Sequence, residues 1–399
     1  MSTTAAGGSG VDALCDNVLA SILARLPSTS VLRCRAVCRS WRRITTARSF
    51  LVNHVTRRPL QILTRSVYGY GGREVSATPL SVAGDAHPTR LFHRTRHEPS
   101  VARSSDVLYS LDGLLVVSKL PGLFGICNPS TRQWATLPAL APEPRPFDVV
   151  TCGFYFYSPH TSSGEYRLLC QVRHKYERYY CIFSTAGDAL PRRCHGRQRP
   201  PRLTTSASLP YSVPVSRRGV LHWLVHPEDA FTGMMLAFDT ASEAFRLMPR
   251  PPEWAGDDTR KRKLLELDGE LAVAVEKGVS TLAVWELRDY EAEVWTLRYR
   301  VEVPPPSSIF GGTTTDNHTS VEWYISWIFS AGDGAILIGQ GYHGFAARLY
   351  DLREKRIRGE VSLLPRGQQP AFLVFRESLV SHGFFDLPPN SEVAHIKFN

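Results

Sequence analysis

Between Leu14 and Pro27 the apolar residues Val18, Ile22 and Leu26 recur at i, i+4 and i+8, with Leu19 and Leu23 widening the stripe. That period places them on one face of an α-helix. Asp16 is suited to cap its start. Pro27 ends it, because a proline pushes the preceding residue out of the α region. With Ser28, Thr29 or Ser30 as its cap, a second helical stretch follows, in which Leu32, Ala36, Val37, Trp41 and Ile44 return at helical spacing. Arg33, Arg35, Arg39, Arg42 and Arg43 take its other face. Two short helices cannot bury so broad an apolar surface by themselves, so something must cover it.

Past Arg57-Arg58-Pro59 the helical period gives way to short strand-like runs broken by Gly, Pro, Asn and Asp. Four segments align with one another; they start at Gly113, Gly219, Gly269 and Gly334, and each reads strand, turn, strand, turn, strand. The second turns open at Asn128, Asp239, Asp289 and Asp351, and six residues on stand Trp134, Phe245, Trp295 and Ile357. A fainter copy has Ser184 and Leu190. In chain order the five turn residues are 56, 55, 50 and 62 positions apart. A repeat of that length suits a kelch-like propeller blade, and the stretch from about 60 to about 390 holds around six. Asn or Asp starts a tight turn by bonding its own backbone, and the large apolar residue returns the chain to the buried face of the sheet. Such meanders need neighbours on both faces, which predicts closure into a ring.

The chain has 399 residues, 43% of them apolar and 21% charged, values of an ordinary globular protein large enough for two domains. Its net charge of +10 is unevenly placed. Residues 1–60 carry nine Arg, no Lys and two acids, a net +7, which leaves +3 for the rest. Arg outnumbers Lys 40 to 7 overall, and with the larger part nearly neutral, nucleic acid is not the expected partner. The first residues lack a basic and apolar leader, and no uncharged apolar run reaches membrane-spanning length, so no membrane partner is expected and the cytoplasm or nucleus is the expected compartment. Eight Cys without a CxxC pair suggest reduced thiols rather than a disulfide or zinc framework. The sequon at Asn317 has no secretory context.

The N-terminal residues resemble the F-box of plant proteins. Its Ile-Leu-x-Arg-Leu-Pro centre is matched by Ile22-Leu23-Ala24-Arg25-Leu26-Pro27 and its Val-Cys-x-x-Trp ending by Val37-Cys38-Arg39-Ser40-Trp41. Ala47-Arg48-Ser49-Phe50 resembles the close of such segments, whereas Cys15 stands where the family usually has Pro. The resemblance implies docking to a Skp-family adaptor and, through it, to a cullin scaffold. The matching positions are Leu14, Val18, Ile22, Leu23, Leu26, Pro27, Val31, Leu32, Val37, Cys38 and Trp41. From about residue 105 to about 380 the chain is similar to the F-box-associated β-domain. The phrases that carry this are Asn128-Pro129-Ser130-Thr131-Arg132 before Leu137-Pro138, Leu221-His222-Trp223-Leu224, Phe238-Asp239 before Phe245, and Val284-Trp285-Glu286-Leu287 before Trp295. That domain's implied role is to hold a protein destined for ubiquitination, whose identity the resemblance leaves unknown.

Motifs of catalytic type find little support. Gly339-Gln340-Gly341-Tyr342-His343-Gly344 satisfies GxGxxG, but strand-like residues follow where a dinucleotide site needs a helix N-terminus. His93 and His97 sit among Arg94, Arg96, Glu98 and Pro99 and read as a polar loop without further metal ligands. Arg192 to Arg202 holds five Arg and no acid and reads as an exposed loop, with an acidic partner or nuclear import as the functional alternative. Val321, Trp323, Ile325, Trp327 and Phe329 alternate with other residues as in a half-buried strand. The expected fold class is α+β multidomain: a tail over 1–11, a small helical F-box over 12–58 and an all-β, propeller-like repeat domain over 59–399. The expected function is that of the non-enzymatic substrate-recognition subunit of a Skp-cullin-F-box ubiquitin ligase, with no cofactor. A kelch-like propeller enzyme or a non-degradative scaffold, either one tethered by the F-box, is the alternative.

Overall fold

The computed structural model describes residues 14–66, 73–80, 88–94, 107–120, 123–138, 147–158, 164–174, 177–186, 191–194, 214–224, 234–252, 262–277, 281–303, 325–340, 346–362, 368–386 and 396–398. Four helices come first, α1 (Asp16–Leu23), α2 (Ser28–Cys34), α3 (Arg39–Thr46) and α4 (Arg48–Arg57). The first expected stretch is α1, the second is split into α2 and α3, and α4 lies beyond both. Cys15, not Asp16, is the N-cap of α1, and Asp16 lies in its first turn, where a carboxylate favours the helix dipole. Pro27 stands at the N-cap of α2, and its carbonyl accepts from the Val31 amide at 3.0 Å. The apolar period from Leu32 to Ile44 is split between α2 and α3 because Cys38 is extended (φ −155°, ψ 166°), and its sulfur accepts from the Trp41 amide.

Among the described residues all remaining regular structure is antiparallel sheet apart from a 3-10 turn at Gly383–Phe385. Blade 1 contains β1 (Gln61–Ser66), β2 (Arg73–Pro79) and β3 (Thr89–Arg94). Blade 2 is β4 (Val107–Leu111), β5 (Leu114–Leu120), β6 (Leu123–Asn128) and β7 (Gln133–Thr136). Blade 3 is β8 (Phe147–Tyr157), β9 (Glu165–His174), β10 (Glu177–Ser184) and β11 (Arg192–Arg193). Blade 4 is β12 (Val215–Arg217), β13 (Val220–Trp223), β14 (Met234–Asp239) and β15 (Ala244–Pro249). Blade 5 is β16 (Arg262–Leu267), β17 (Glu270–Lys277), β18 (Thr281–Asp289) and β19 (Val294–Glu302). Blade 6 is β20 (Ile325–Gly332), β21 (Ala335–Gln340), β22 (Ala346–Asp351) and β23 (Arg356–Ser362). Finally, β24 (Gln368–Phe375) pairs with β1 as the inner strand of blade 1, and β25 (Ile396–Phe398) adds to its outer edge at β3.

Buried side chains join each blade to the next around a closed circle. Phe375 and Leu63 meet Leu115 and Cys127 between blades 1 and 2, and Ile126 meets Leu168 between blades 2 and 3. Leu169 meets Leu221, Met235 meets Val273, Ala272 meets Ile336, and Trp327 returns to Ile62 between blades 6 and 1. The apolar run Leu271–Val275 shows why. Leu271, Val273 and Val275 face blade 4, Ala272 and Ala274 face blade 6, and the strand is buried on both sides. The protein is a six-bladed propeller with helices at its N-terminus, as the repeat length leads one to expect.

The turns have the chemistry the repeat implied. Asn128, Asp239, Asp289 and Asp351 each accept from the amides two and three residues on. The Ser184 hydroxyl accepts from Ala186 at 3.0 Å, and Leu190 lies outside the described residues. Between the first and second strands of blades 2, 4, 5 and 6, the pairs Asp112-Gly113, Arg218-Gly219, Asp268-Gly269 and Asp333-Gly334 all have positive φ, as two-residue hairpins require. Both sets of turns lie at one end of the ring.

Several loop expectations need correction. His93 lies on β3, opposite Glu74 and Lys397, rather than in a loop; His97 is outside the described residues. Arg192 and Arg193 are strand β11, paired with Ile182 and Cys181, because β10 offers them a free edge; residues 195–202 are outside the described residues. Gly339 is in β21, and β22 follows at Ala346, so no helix starts behind GxGxxG. Ile325 and Trp327 are buried in β20, whereas residues 321, 323 and 317 lie outside the described residues.

Candidate functional site

The four helices pack around Leu19, Leu23, Ala24, Val31, Ile44 and Phe50. Hydrogen bonds hold the connections: Arg35 donates to the Thr45 carbonyl at 2.9 Å, and Arg58 donates to the Arg25 carbonyl at 3.2 Å. His54 is fully buried, stacks on Phe50 and donates from Nε2 to the Leu26 carbonyl at 3.1 Å. Burial lowers its pKa, against the pull of that carbonyl, and keeps the ring neutral.

The eleven motif positions separate by exposure. Leu14, Val18, Ile22 and Val37 are exposed by 39%, 44%, 45% and 65%. Pro27 and Cys38 are also exposed, whereas Leu26, Leu32 and Trp41 are half-buried against the helical core. Leu23 and Val31 are buried in that core and have no outward surface to offer. Val18 and Ile22 lie one helical turn apart on the outer face of α1, with Leu19 and Leu23 turned inwards. Val52 on α4, outside the motif, is exposed by 59%.

A segment following β24 ties the helices to the ring. Ser28 donates to Glu377 at 2.5 Å, and Leu379, 1% exposed, completes the helical core. The Asn128 side-chain amide donates to the carbonyls of Ser378 (3.1 Å) and Val380 (3.4 Å). His382 and Phe384 then pack on Tyr166 of blade 3. Sequence reasoning missed Glu377 and Leu379, since nothing in their neighbourhood marks a contact with residues so distant in the chain. The helices consequently sit at the end of the ring that carries the Asx turns.

The cavities of the ring include two lined by described residues. One of about 470 Å³ lies between the inner strands and is lined in part by Lys263, Glu266, Trp327 and Arg376. The other, about 290 Å³, lies between blades 4 and 5 beside Arg218, Asp239, Arg246 and Tyr290. Beneath it His222 donates from Nδ1 to the Val215 carbonyl and accepts the Tyr290 hydroxyl proton at Nε2, 2.8 Å away. Burial lowers the pKa of His222 to about 4 and raises that of Tyr290, so both stay neutral and the pair fills the blade interface. Among the described residues no three His, Cys, Asp or Glu are grouped to hold a metal, and no helix is long and apolar enough to cross a membrane.

Residues 81–359 match the profile of the F-box associated beta propeller domain, and residues 12–53 that of the F-box domain. The chain belongs to the F-box-associated propeller family. Among its Arabidopsis thaliana relatives, F-box protein At5g49610 is 24% identical over 322 residues, 71% of this chain and 77% of that protein. F-box protein CPR1 is 25% identical over 312 residues, 72% of this chain and 73% of its own. F-box protein At2g34280 is 34% identical over 105 residues, 26% of each chain. In this F-box protein the helices α1–α4 contain the F-box, and its exposed apolar stripe is the candidate docking surface. Its charges differ in kind from those of the propeller. There, arginines meet acids of neighbouring blades: Arg167 with Glu243, Arg246 with Glu293, Arg217 with Glu270 at 2.6 Å and Arg353 with Asp268 at 3.0 Å.

Proposed function

We propose that this F-box protein is the non-enzymatic substrate receptor of a Skp-cullin-F-box ubiquitin ligase. One observation carries the reading: of the eight large apolar residues exposed among the described residues, five, Leu14, Val18, Ile22, Val37 and Val52, belong to the F-box segment. Water-exposed apolar side chains gathered on one small unit mark a surface built to be covered. Covering each large one contributes roughly 1.5–3 kcal/mol when complete. A Skp-family adaptor, and through it a cullin scaffold, is the occupant that the F-box family implies.

The propeller serves as the target-binding part. Its Asx-turn end is occupied by the F-box and the segment after β24. The opposite end is where the last strand of each blade ends and the first strand of the next begins. Connections at an end remote from the adaptor suit recognition of a protein target.

The test uses the full chain and a purified Skp-family adaptor. Val18→Asp and Ile22→Asp should abolish binding measured by calorimetry and leave the melting temperature unchanged, because both side chains already face water. Leu26 and Trp41 are poorer probes, since they are half-buried in the helical core. Full-strength binding by both variants removes the assignment.

A further inference from the structure

We infer that the surface docking on the F-box is rimmed with acidic residues, and that a collar of arginines around the apolar stripe steers the encounter. The inference rests on the adaptor reading above. Of the nine arginines in residues 1–60, only Arg43 has a carboxylate partner among the described residues, Asp16 at 2.6 Å. Arg35 and Arg58 turn inwards to backbone carbonyls. Arg25, Arg33, Arg39 and Arg42 are exposed and have no acid beside them among the described residues. In the propeller, by contrast, Arg167, Arg217, Arg246 and Arg353 sit against carboxylates of neighbouring blades, and of its exposed arginines Arg132 and Arg288 lack such a partner among the described residues.

The geometry brings the charge to the stripe. Arg39, Arg42 and Arg43 fall at i, i+3 and i+4 on the outer face of α3, whose inner face buries Ile44 and Thr45. The Asp16–Arg43 pair ties that face to the first turn of α1, two residues before exposed Val18. Arg39 directly follows Val37-Cys38, and Arg25 follows Ile22 by three. An apolar stripe flanked by uncompensated guanidinium groups fits an apolar groove flanked by carboxylates. Such exposed rim charges add little to equilibrium affinity. They act on the approach, over about a Debye length, and raise the association rate.

Biolayer interferometry of the full chain against the purified adaptor reads this directly. The association rate should fall about tenfold from about 0.05 M to about 0.5 M salt, with the dissociation rate nearly constant. The double variant Arg39→Glu, Arg42→Glu should show that slower association already at low salt. It should keep its fold, since Arg42 repels Arg35 in the native protein. A salt-independent wild-type association rate, or a variant whose loss lies in dissociation, overturns the collar and leaves the adaptor reading standing. No wild-type binding at any salt overturns both. Tighter capture by vesicles of phosphatidylcholine and phosphatidylserine than by the adaptor assigns the collar to a membrane surface and overturns the proposal.

Discussion

The Ser28 hydroxyl donates to Glu377 at 2.5 Å across 349 positions of sequence. Two residues beyond Glu377, Leu379 enters the F-box core beside Leu23 and Val31. The F-box therefore takes part of its interior from the far end of the chain. Leu379→Ala should lower F-box stability by about 2–5 kcal/mol, the usual range for deleting a buried leucine side chain. Amide hydrogen exchange should then rise in α1–α3 while blades 4 and 5 keep their protection. A chain ending at Phe375 should show the same effect more strongly. Unchanged exchange in both would mean that the helices are self-sufficient.

The legible parts of this structure were those written in local periodicity. The pair Val18 and Ile22 announced α1, although the helix ends at Leu23 and leaves Leu26 beyond it, and the Asx residues Asn128, Asp239, Asp289 and Asp351 marked the same turn in four blades. What failed had a physical cause each time. The break at Cys38 is a backbone choice stabilised by a sulfur cap, which an apolar period spanning Leu32 to Ile44 does not register. Strand β11 exists because β10 leaves an edge open, so an arginine pair without the β-branched or aromatic side chains that favour strands is recruited by its neighbour. The docking surface was legible as a set of residues but not as a surface. Ile22 and Leu23 look alike in the motif, yet one is 45% and the other 2% exposed.

That difference separates binding from folding. Ile22→Ala should change stability by no more than about 0.5 kcal/mol. Leu23→Ala should cost about 2–5 kcal/mol. Denaturant titration checks both figures, and adaptor affinity should fall for Ile22→Ala with no change in the denaturation midpoint. Equal destabilisation by the two would contradict the burial pattern of α1.

Closure of the ring depends on a close approach at Gly339. The Trp327 indole lies against this glycine, in the space a Cβ would need. Trp327 is 2% exposed and packs with Ile62, so it joins blade 6 to blade 1. Gly339→Ala should push the indole aside and destabilise the propeller by about 1–3 kcal/mol, the common cost of overpacking a core. A lower melting temperature together with a red-shifted tryptophan emission is the expected result. Unaltered melting would show that the indole has room to move.

The blade 4 and blade 5 interface should respond to acid through His222. Its ring is fully buried, with Nδ1 donating to the Val215 carbonyl and Nε2 accepting from Tyr290. Burial is the main cause that brings its pKa down from 6.5 to about 4; Arg246 pushes the same way, and the Val215 carbonyl opposes them. Above pH 6.5 the histidine is neutral in both the folded and unfolded chain, and it adds no pH dependence. Between 6.5 and about 4 the unfolded chain takes up a proton that the folded ring refuses, so stability falls as the pH falls. Below about 4 both forms are protonated and the loss levels off, at roughly 3 kcal/mol. The control is His222→Gln, which removes the titrating group. Urea midpoints at neutral pH and near pH 4.5 should show the wild type losing more stability than the variant. Parallel losses in the two proteins would mean that His222 is not held neutral at this interface.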